Sequence, residues 1–304
     1  MAELVVAGSY NAALTVYSTT LPAPGETVVG SRFEQGPGGK GANQAIGARR
    51  LGADVLFVTR LGADAFGEQA RSVLLAEGLP EGGITTDDQN PTGIALILVD
   101  DTGQNAISVA PGANASLSGP AVLAQFGPDL RDCKYLLMQL ECRAELAVDL
   151  SSWARAAGCV SILNPAPARP LAPGALASFD IITPNEGELA TLAASLGLPI
   201  GPADVLARHL LSYGVRDVVV TLGERGAMWA CAAGIRYFDA YPVRAVDTTG
   251  AGDAFNAGLA AALVRGEPME AAIDQGCRAG AFCVTRNGVI DGLGYPADLT
   301  MLGQ

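Results

Sequence analysis

The stretch "GPGGKGANQAIGARRLGADVLFVTRLG", Gly36 to Gly62, holds a glycine cluster, a helix expected from about Gly41 to Leu51, and a β-rich run ending at a further glycine. Gly36, Gly38 and Gly41 satisfy G-x-G-x-x-G, the dinucleotide fingerprint, whose glycines normally close the first strand of a βαβ unit. In this chain the first strand-like run is "LVVAG", Leu4 to Gly8, and a long alternating segment separates it from the glycines. The fingerprint is displaced, which leaves a nicotinamide-dependent oxidoreductase as a remote reading. Lys40 is followed by Gly41 rather than Ser or Thr, so the stretch is not a Walker A loop either. Two readings remain on local grounds: a glycine-rich helix start, or a place where a sugar approaches the backbone closely while Lys40 and Asn43 face its hydroxyls.

Outward from this stretch, strand-like and helical runs alternate. "DVLFVT" precedes a helix from about Ala65 to Glu77, and "KYLLM", "CVSILN", "FDIITPN" and "DVVVTLG" follow. The rhythm predicts an α/β fold with an open, mostly parallel sheet and helices on both faces. Ligands in such folds bind beyond the carboxyl ends of the strands. Two segments break the rhythm, about 13–35 and 92–112; both alternate with a period of two and carry turn chemistry at Pro24-Gly25 and Asp101-Thr102-Gly103. They read as a small strand-built lid on a single domain spanning 1–304, or as sheet-edge hairpins.

Composition narrows the function classes. The 304 residues are 49% hydrophobic, enough for a large core. There is no apolar run of membrane-spanning length and no signal-peptide pattern at the start, so the expectation is a cytoplasmic protein. A net charge of −12 argues against nucleic acid and anionic membranes. The six cysteines contain no C-x-x-C pair and read as reduced core residues. The one histidine, His209, lies in an ordinary amphipathic pattern, which disfavours a histidine-dependent triad or a multi-histidine zinc site.

Several motifs sit where strands are expected to end. "LMQLECR" places Glu141 after an apolar strand, and "SILNPAPAR" does the same with Asn164 and Arg169; a carboxylate there suits a sugar hydroxyl or the start of a helix. "TPNEGEL" sets Asn185 and Glu188 three apart, on one face of a helix starting near Pro184, as oxygen ligands for hydrated Mg²⁺. The alternative there is helix capping, because Thr183 and Glu186 also have capping-box spacing. "DTTGAGDAFNAGLAAAL", Asp247 to Leu263, runs through small residues Gly250, Ala251 and Gly252 into a helix, aiming free amides at one point as an anion hole. Asp253 would sit in its first turn, where a carboxylate contributes about 0.3 to 1 kcal/mol through the helix dipole.

Taken together, these motifs resemble the ribokinase-like carbohydrate kinases. The first family signature follows Gly39, Asn43, Ala45, Gly52 and Gly62; the second is the whole of "DTTGAGDAFNAGLA", Asp247 to Ala260. Between them "PGANASL", "LLMQLE", "NPAPAR", "ITPNE" and "TLGERG" are also similar, so the resemblance runs along nearly the whole chain. It implies ATP-dependent phosphorylation of a sugar hydroxymethyl group, ribose O5 first. Asp253 would be the general base, with the amides of Gly250, Ala251, Gly252 and Asp253 around the transferring phosphoryl group. Asn11, Gly39, Lys40, Asn43 and Glu141 would bind the sugar. Asn185 and Glu188 would organise Mg²⁺ through water. Thr221, Gly223, Gly226 and Gly252 would line the ATP site, with Asn185 beside them and Cys277 in the segment that walls the adenine. Asp247, Thr249, Cys283, Asn287 and Gly288 would hold a monovalent cation, K⁺. The lid strands would cover the sugar and pair with a second subunit's lid in a homodimer.

Two positions depart from the family pattern. Ala13 stands where an Asp normally contacts sugar hydroxyls, and losing such a bond costs about 1.5 to 3 kcal/mol. The tail "RNGVIDGLGYP" lacks the Ser that usually completes the cation site. Another sugar (a deoxypentose, ketohexose or keto-deoxy acid) or a nucleoside is therefore the alternative acceptor. A non-catalytic sugar- or nucleotide-binding regulator is the more distant one.

Overall fold

Leu4–Ala7 forms the first strand, β1, and its alternation divides the molecule: Leu4 and Val6 enter one buried apolar cluster, Val5 and Ala7 another. A strand covered on both faces needs an unbroken apolar run, as this one has. The computed structural model describes residues 2–128 and 130–302; Met1, Asp129, Gly303 and Gln304, all within the expected 1–304 domain, lie outside the described residues. The remaining strands are β2 (Asn11–Ser18), β3 (Arg32–Gly38), β4 (Val55–Gly62), β5 (Ile84–Asp87), β6 (Ile94–Asp100), β7 (Asn105–Ala110), β8 (Tyr135–Gln139), β9 (Val160–Asn164), β10 (Ile181–Ile182), β11 (Asp217–Thr221), β12 (Ala227–Cys231) and β13 (Gly234–Phe238). The helices are α1 (Lys40–Arg50), α2 (Ala65–Ala76), α3 (Gly119–Phe126), α4 (Ala144–Ala157), α5 (Pro173–Leu176), α6 (Glu186–Ser195), α7 (Ala203–Ser212), α8 (Ala251–Val264), α9 (Met269–Cys283), α10 (Val289–Gly292) and α11 (Pro296–Thr300).

Nine strands make the main sheet, in the order β13-β12-β11-β10-β9-β8-β1-β4-β5. It is parallel from β5 to β11, and β12 and β13 continue it antiparallel. One cluster packs Ile46 of α1, Leu259 of α8 and Ile273 of α9 on one face; the other packs Val122 of α3, Leu150 of α4, Leu192 of α6 and Leu210 of α7 on the opposite face. Burying each such Leu, Ile or Val contributes about 1.5 to 3 kcal/mol, which fixes the helices against the sheet.

The segments that broke the rhythm build a separate four-stranded sheet, β3-β2-β6-β7. β2 pairs antiparallel with β3 and parallel with β6, while β6 and β7 form a hairpin closed at Asp101–Gly103. Period-two alternation puts Asn11, Ala13 and Thr15 on one face and Leu14 and Val16 on the other. Phe33, Leu96, Ile107 and Val109 of this sheet are exposed apolar side chains.

This layout removes the dinucleotide reading. Gly36 and Gly38 lie in β3 of the small sheet, opposite Ala13 and Asn11, and so do not close β1. What the glycines allow is contact between α1 and the end of β1. A Cβ on Gly41 would come within 2.5 Å of the Ser9 amide nitrogen and 2.6 Å of the Gly8 carbonyl carbon.

Candidate active site

The carboxyl ends of β1, β8 and β9 face the N-termini of α1, α6 and α8, and buried polar side chains collect there. The α8 helix starts after Gly250, whose φ of 81° is left-handed and favours glycine. No side chain caps it. The Ala251 amide turns back to the Thr248 carbonyl (3.3 Å) and the Ala254 amide to that of Gly250 (2.8 Å). The amides of Gly252 and Asp253 have no partner among the described residues. That is the open helix end expected of an anion hole.

Asp253, 4% exposed, projects from this first turn towards α1. Its Oδ2 accepts a hydrogen bond from Asn43 Nδ2 (2.8 Å) and its Oδ1 one from Gln44 Nε2 (2.9 Å). Behind them lies a buried amide network: Gln44 also donates to Asn164 Oδ1 (3.0 Å), and Gln139 Nε2 donates to Gln44 Oε1 (2.6 Å). Asn164 donates to the Thr183 carbonyl, Thr183 Oγ1 to Asn256 Oδ1, and Asn256 to the Gly252 carbonyl. Asn43 Oδ1 is buried without a partner among the described residues, an acceptor suited to a hydroxyl.

Glu141 comes from the loop after β8. Its Oε2 accepts from Ser9 Oγ (2.6 Å), Asn11 Nδ2 (3.3 Å) and the Lys40 amide (2.9 Å), and so closes the N-terminus of α1 that begins after Gly39. It does not start a helix of its own: α4 begins at Ala144. Asn11 Oδ1 in turn accepts from Asn114 Nδ2, which also donates to the Tyr10 carbonyl, while Asn114 Oδ1 accepts from the Tyr10 amide. The Lys40 ammonium is held above the ordinary lysine value, first by the Asp253 carboxylate, against burial, with Glu141 and Glu188 adding to it. One cation thus feels the carboxylates of both the expected sugar side and the expected nucleotide side. Ala13 lies opposite Gly36 and Ala95, on the same strand face as Asn11.

Asn185 and Glu188 meet, but as a capping box. Asn185 Oδ1 accepts from the Glu188 amide and Glu188 Oε2 from the Asn185 amide, both at 2.8 Å. The helix starts at Glu186 rather than near Pro184, and the Thr183–Glu186 box is not formed, because Thr183 Oγ1 turns inward to Asn256. Among the described residues no group of three or more His, Cys, Asp or Glu forms a metal-ligand set. With two side chains engaged in capping, this donor set fits an ion held through water, not one coordinated directly. Burial raises the Glu188 carboxyl above the ordinary glutamate value, opposed by the Asn185 amide and Lys40.

Thr221 ends β11 beside Asn185, its amide on the Pro184 carbonyl. Gly223 and Gly226 bracket the short turn that follows, tied to α6 by an exposed Arg225–Glu186 ion pair. Cys277 is packed in the α1/α8/α9 cluster, where burial pushes its thiol up to about 12, so it contributes shape rather than a polar contact. Asp247, Thr249, Cys283 and Gly288 adjoin one another. Asp247 accepts from the Thr249 amide (2.9 Å) and the Gly288 amide (3.0 Å), and the Cys283 thiol donates to the Thr249 carbonyl (3.6 Å). Burial would raise Asp247, but the Thr249 amide and hydroxyl and the Gly288 amide together outweigh it and hold the carboxyl below the ordinary aspartate value. Carboxylate and carbonyl oxygens of this kind fit a hard cation. Asn287 is exposed next to Gly288.

Comparison with known proteins agrees with this geometry. A family model described as pfkB family carbohydrate kinase matches residues 1–294. The ribokinase of Haemophilus influenzae is 37% identical, over 94% of this chain and 93% of its own, and the deoxyribokinase of Salmonella typhi 34% identical over 94% of each. The solved structure of Arabidopsis thaliana ribokinase complexed with ribose and ATP superposes with a TM-score of 0.88 at 30% identity, covering 99% of this chain and 98% of that one.

Proposed function

This chain belongs to the pfkB family of carbohydrate kinases, and from that premise we propose that it transfers the γ-phosphoryl group of ATP to a sugar hydroxymethyl group, ribose O5 first. The observation that carries the proposal is the pairing of a buried carboxylate, Asp253, with the open amides of the same helix turn. Asp253 takes the proton of the attacking hydroxyl, while the amides of Gly250 to Asp253 hold the charge of the phosphoryl group. Asn43 offers the sugar its unpartnered oxygen, and Glu141, Asn11, Gly39 and Lys40 surround it. Lys40 also balances the negative charge gathered between the two substrates.

ATP would lie along Thr221, Gly223 and Gly226. Mg²⁺ would be held through water by Asn185 and Glu188, and K⁺ by Asp247 and the Thr249 carbonyl beside Cys283 and Gly288. Bound there, these ions would supply charge neutralisation at the phosphates and at the start of α8. The small sheet would act as a lid, and its exposed Phe33, Leu96 and Ile107 favour pairing with the lid of a second copy. Six free cysteines in an ATP-consuming enzyme fit a cytoplasmic setting.

Ala13 favours a second reading of the acceptor. It places a methyl group, not a carboxylate, two residues after Asn11 on the same strand face, so the pocket wall there offers no bond to one sugar hydroxyl. A deoxypentose, another sugar or a nucleoside loses least by this. Turnover measured over ribose, 2-deoxyribose, ketohexoses, keto-deoxy acids and nucleosides tests both readings: ribose leading supports the first, a deoxy sugar leading supports the second, and no acceptor at all overturns the kinase.

A further inference from the structure

Gln44 is 0% exposed, yet it makes three side-chain hydrogen bonds, one of them to Asp253 Oδ1. An ionised carboxylate only accepts, so the Gln44 amide must turn its NH₂ towards Asp253. Its oxygen then faces Gln139, which must turn its own NH₂ inward to meet it, at 2.6 Å. The Gln139 oxygen packs against Gly8, where even a methyl group would come within 2.1 Å of it, and is buried without a hydrogen-bond partner among the described residues. The second NH of Gln44 is taken by Asn164 Oδ1, whose own NH₂ is tied to the Thr183 carbonyl. The orientation of each amide in this chain therefore follows from the Asp253 carboxylate and the Thr183 carbonyl.

Resting on the reading of Asp253 as the base, we infer that Gln44, locked by Gln139, is a positioning residue: it presents a fixed donor to Asp253 Oδ1 and so keeps the Oδ2 side aimed at the sugar through Asn43. The charged and titratable groups that also face Asp253 are Lys40 from α1, Glu188 from α6 and Cys283 from α9. None of them bonds Oδ1, so the amide relay has no substitute there among the described residues.

Gln44→Leu, Gln139→Leu and Gln139→Glu, each confirmed folded by thermal melt and ATP calorimetry, separate positioning from packing. Gln44→Leu removes a bond to a charged group and is expected to lower kcat about 10- to 100-fold with KM for sugar and ATP unchanged. Gln139 touches neither substrate nor Asp253. A Glu there offers Gln44 an acceptor and turns the Gln44 oxygen onto Asp253, so kcat should fall in the order wild type, Gln139→Leu, Gln139→Glu. If Gln44→Leu does not fold, that order carries the test by itself. Equal kcat in the two Gln139 variants, or a Gln44→Leu loss that falls on KM rather than kcat, overturns the inference. Asp253→Asn run alongside separates the two readings: an active Asp253→Asn rejects the base, whereas an inactive one beside fully active glutamine variants rejects only the relay.

Discussion

The helices α6 and α8 begin at the same end of the sheet and are finished in opposite ways. At α6 the sequence supplies Asn185 and Glu188, which bond each other's amides and close the helix locally. At α8 the corresponding place is Gly250, with no side chain to cap, and the amides of Gly252 and Asp253 are left open. A helix end leaves four amides without helical partners, and at α8 they can be reached from outside, Gly252 being exposed and Gly250 and Ala251 half-buried. The difference separates a terminus closed by its own side chains from one left open, the feature on which the proposed phosphoryl site rests. The α1 terminus is intermediate, closed by Glu141 from the end of a distant strand.

The strongest way to break the contrast is Gly250→Ala. A side chain must then adopt φ of 81°, and its Cβ would sit 2.5 Å from Val289 Cγ1. A loss of about 1 to 3 kcal/mol in stability is expected, read as a lowered Tm, together with reduced turnover because the start of α8 shifts. Asn185→Ala should act the other way round: about 0.5 to 2 kcal/mol of stability, with turnover recovered at higher Mg²⁺. Loss of turnover that Mg²⁺ does not restore would show that this end is catalytic rather than structural. The smallest effect concerns pH. The Glu188 carboxyl is raised in the folded state, so its contribution to stability is present below the ordinary glutamate value and lost as pH rises through the raised one. Denaturation of Glu188→Gln followed across that window should show a flatter pH dependence than the parent protein; identical slopes would contradict the burial argument.

Local signals carried much of this. The main sheet follows from apolar runs ending in polar or glycine residues, and Asp253, Asn43, Lys40 and Glu141 stand out because their motifs are contiguous. The second layer was hidden because it is non-local. Gln44 reads as an ordinary helix residue next to Asn43, and its partners Gln139, Asn164 and Asp253 come from three distant segments. Asn114, which clamps Tyr10 and Asn11, is equally remote from them in sequence. The start of α6 was ambiguous because Thr183/Glu186 and Asn185/Glu188 have the same spacing. Tertiary pairing decides it: the Thr183 amide bonds the Leu163 carbonyl, which keeps Thr183 extended and sends its hydroxyl into the core.

In the proposed mechanism the open end of α8 holds the phosphoryl group while Asp253 beside it activates the acceptor. Its most direct test is single-turnover phosphoryl transfer by Asp253→Asn, with ATP affinity measured on the same sample. The expected result is ATP binding within about twofold of the parent protein and transfer slowed by about 10²- to 10⁴-fold. Transfer at the parent rate would contradict the account.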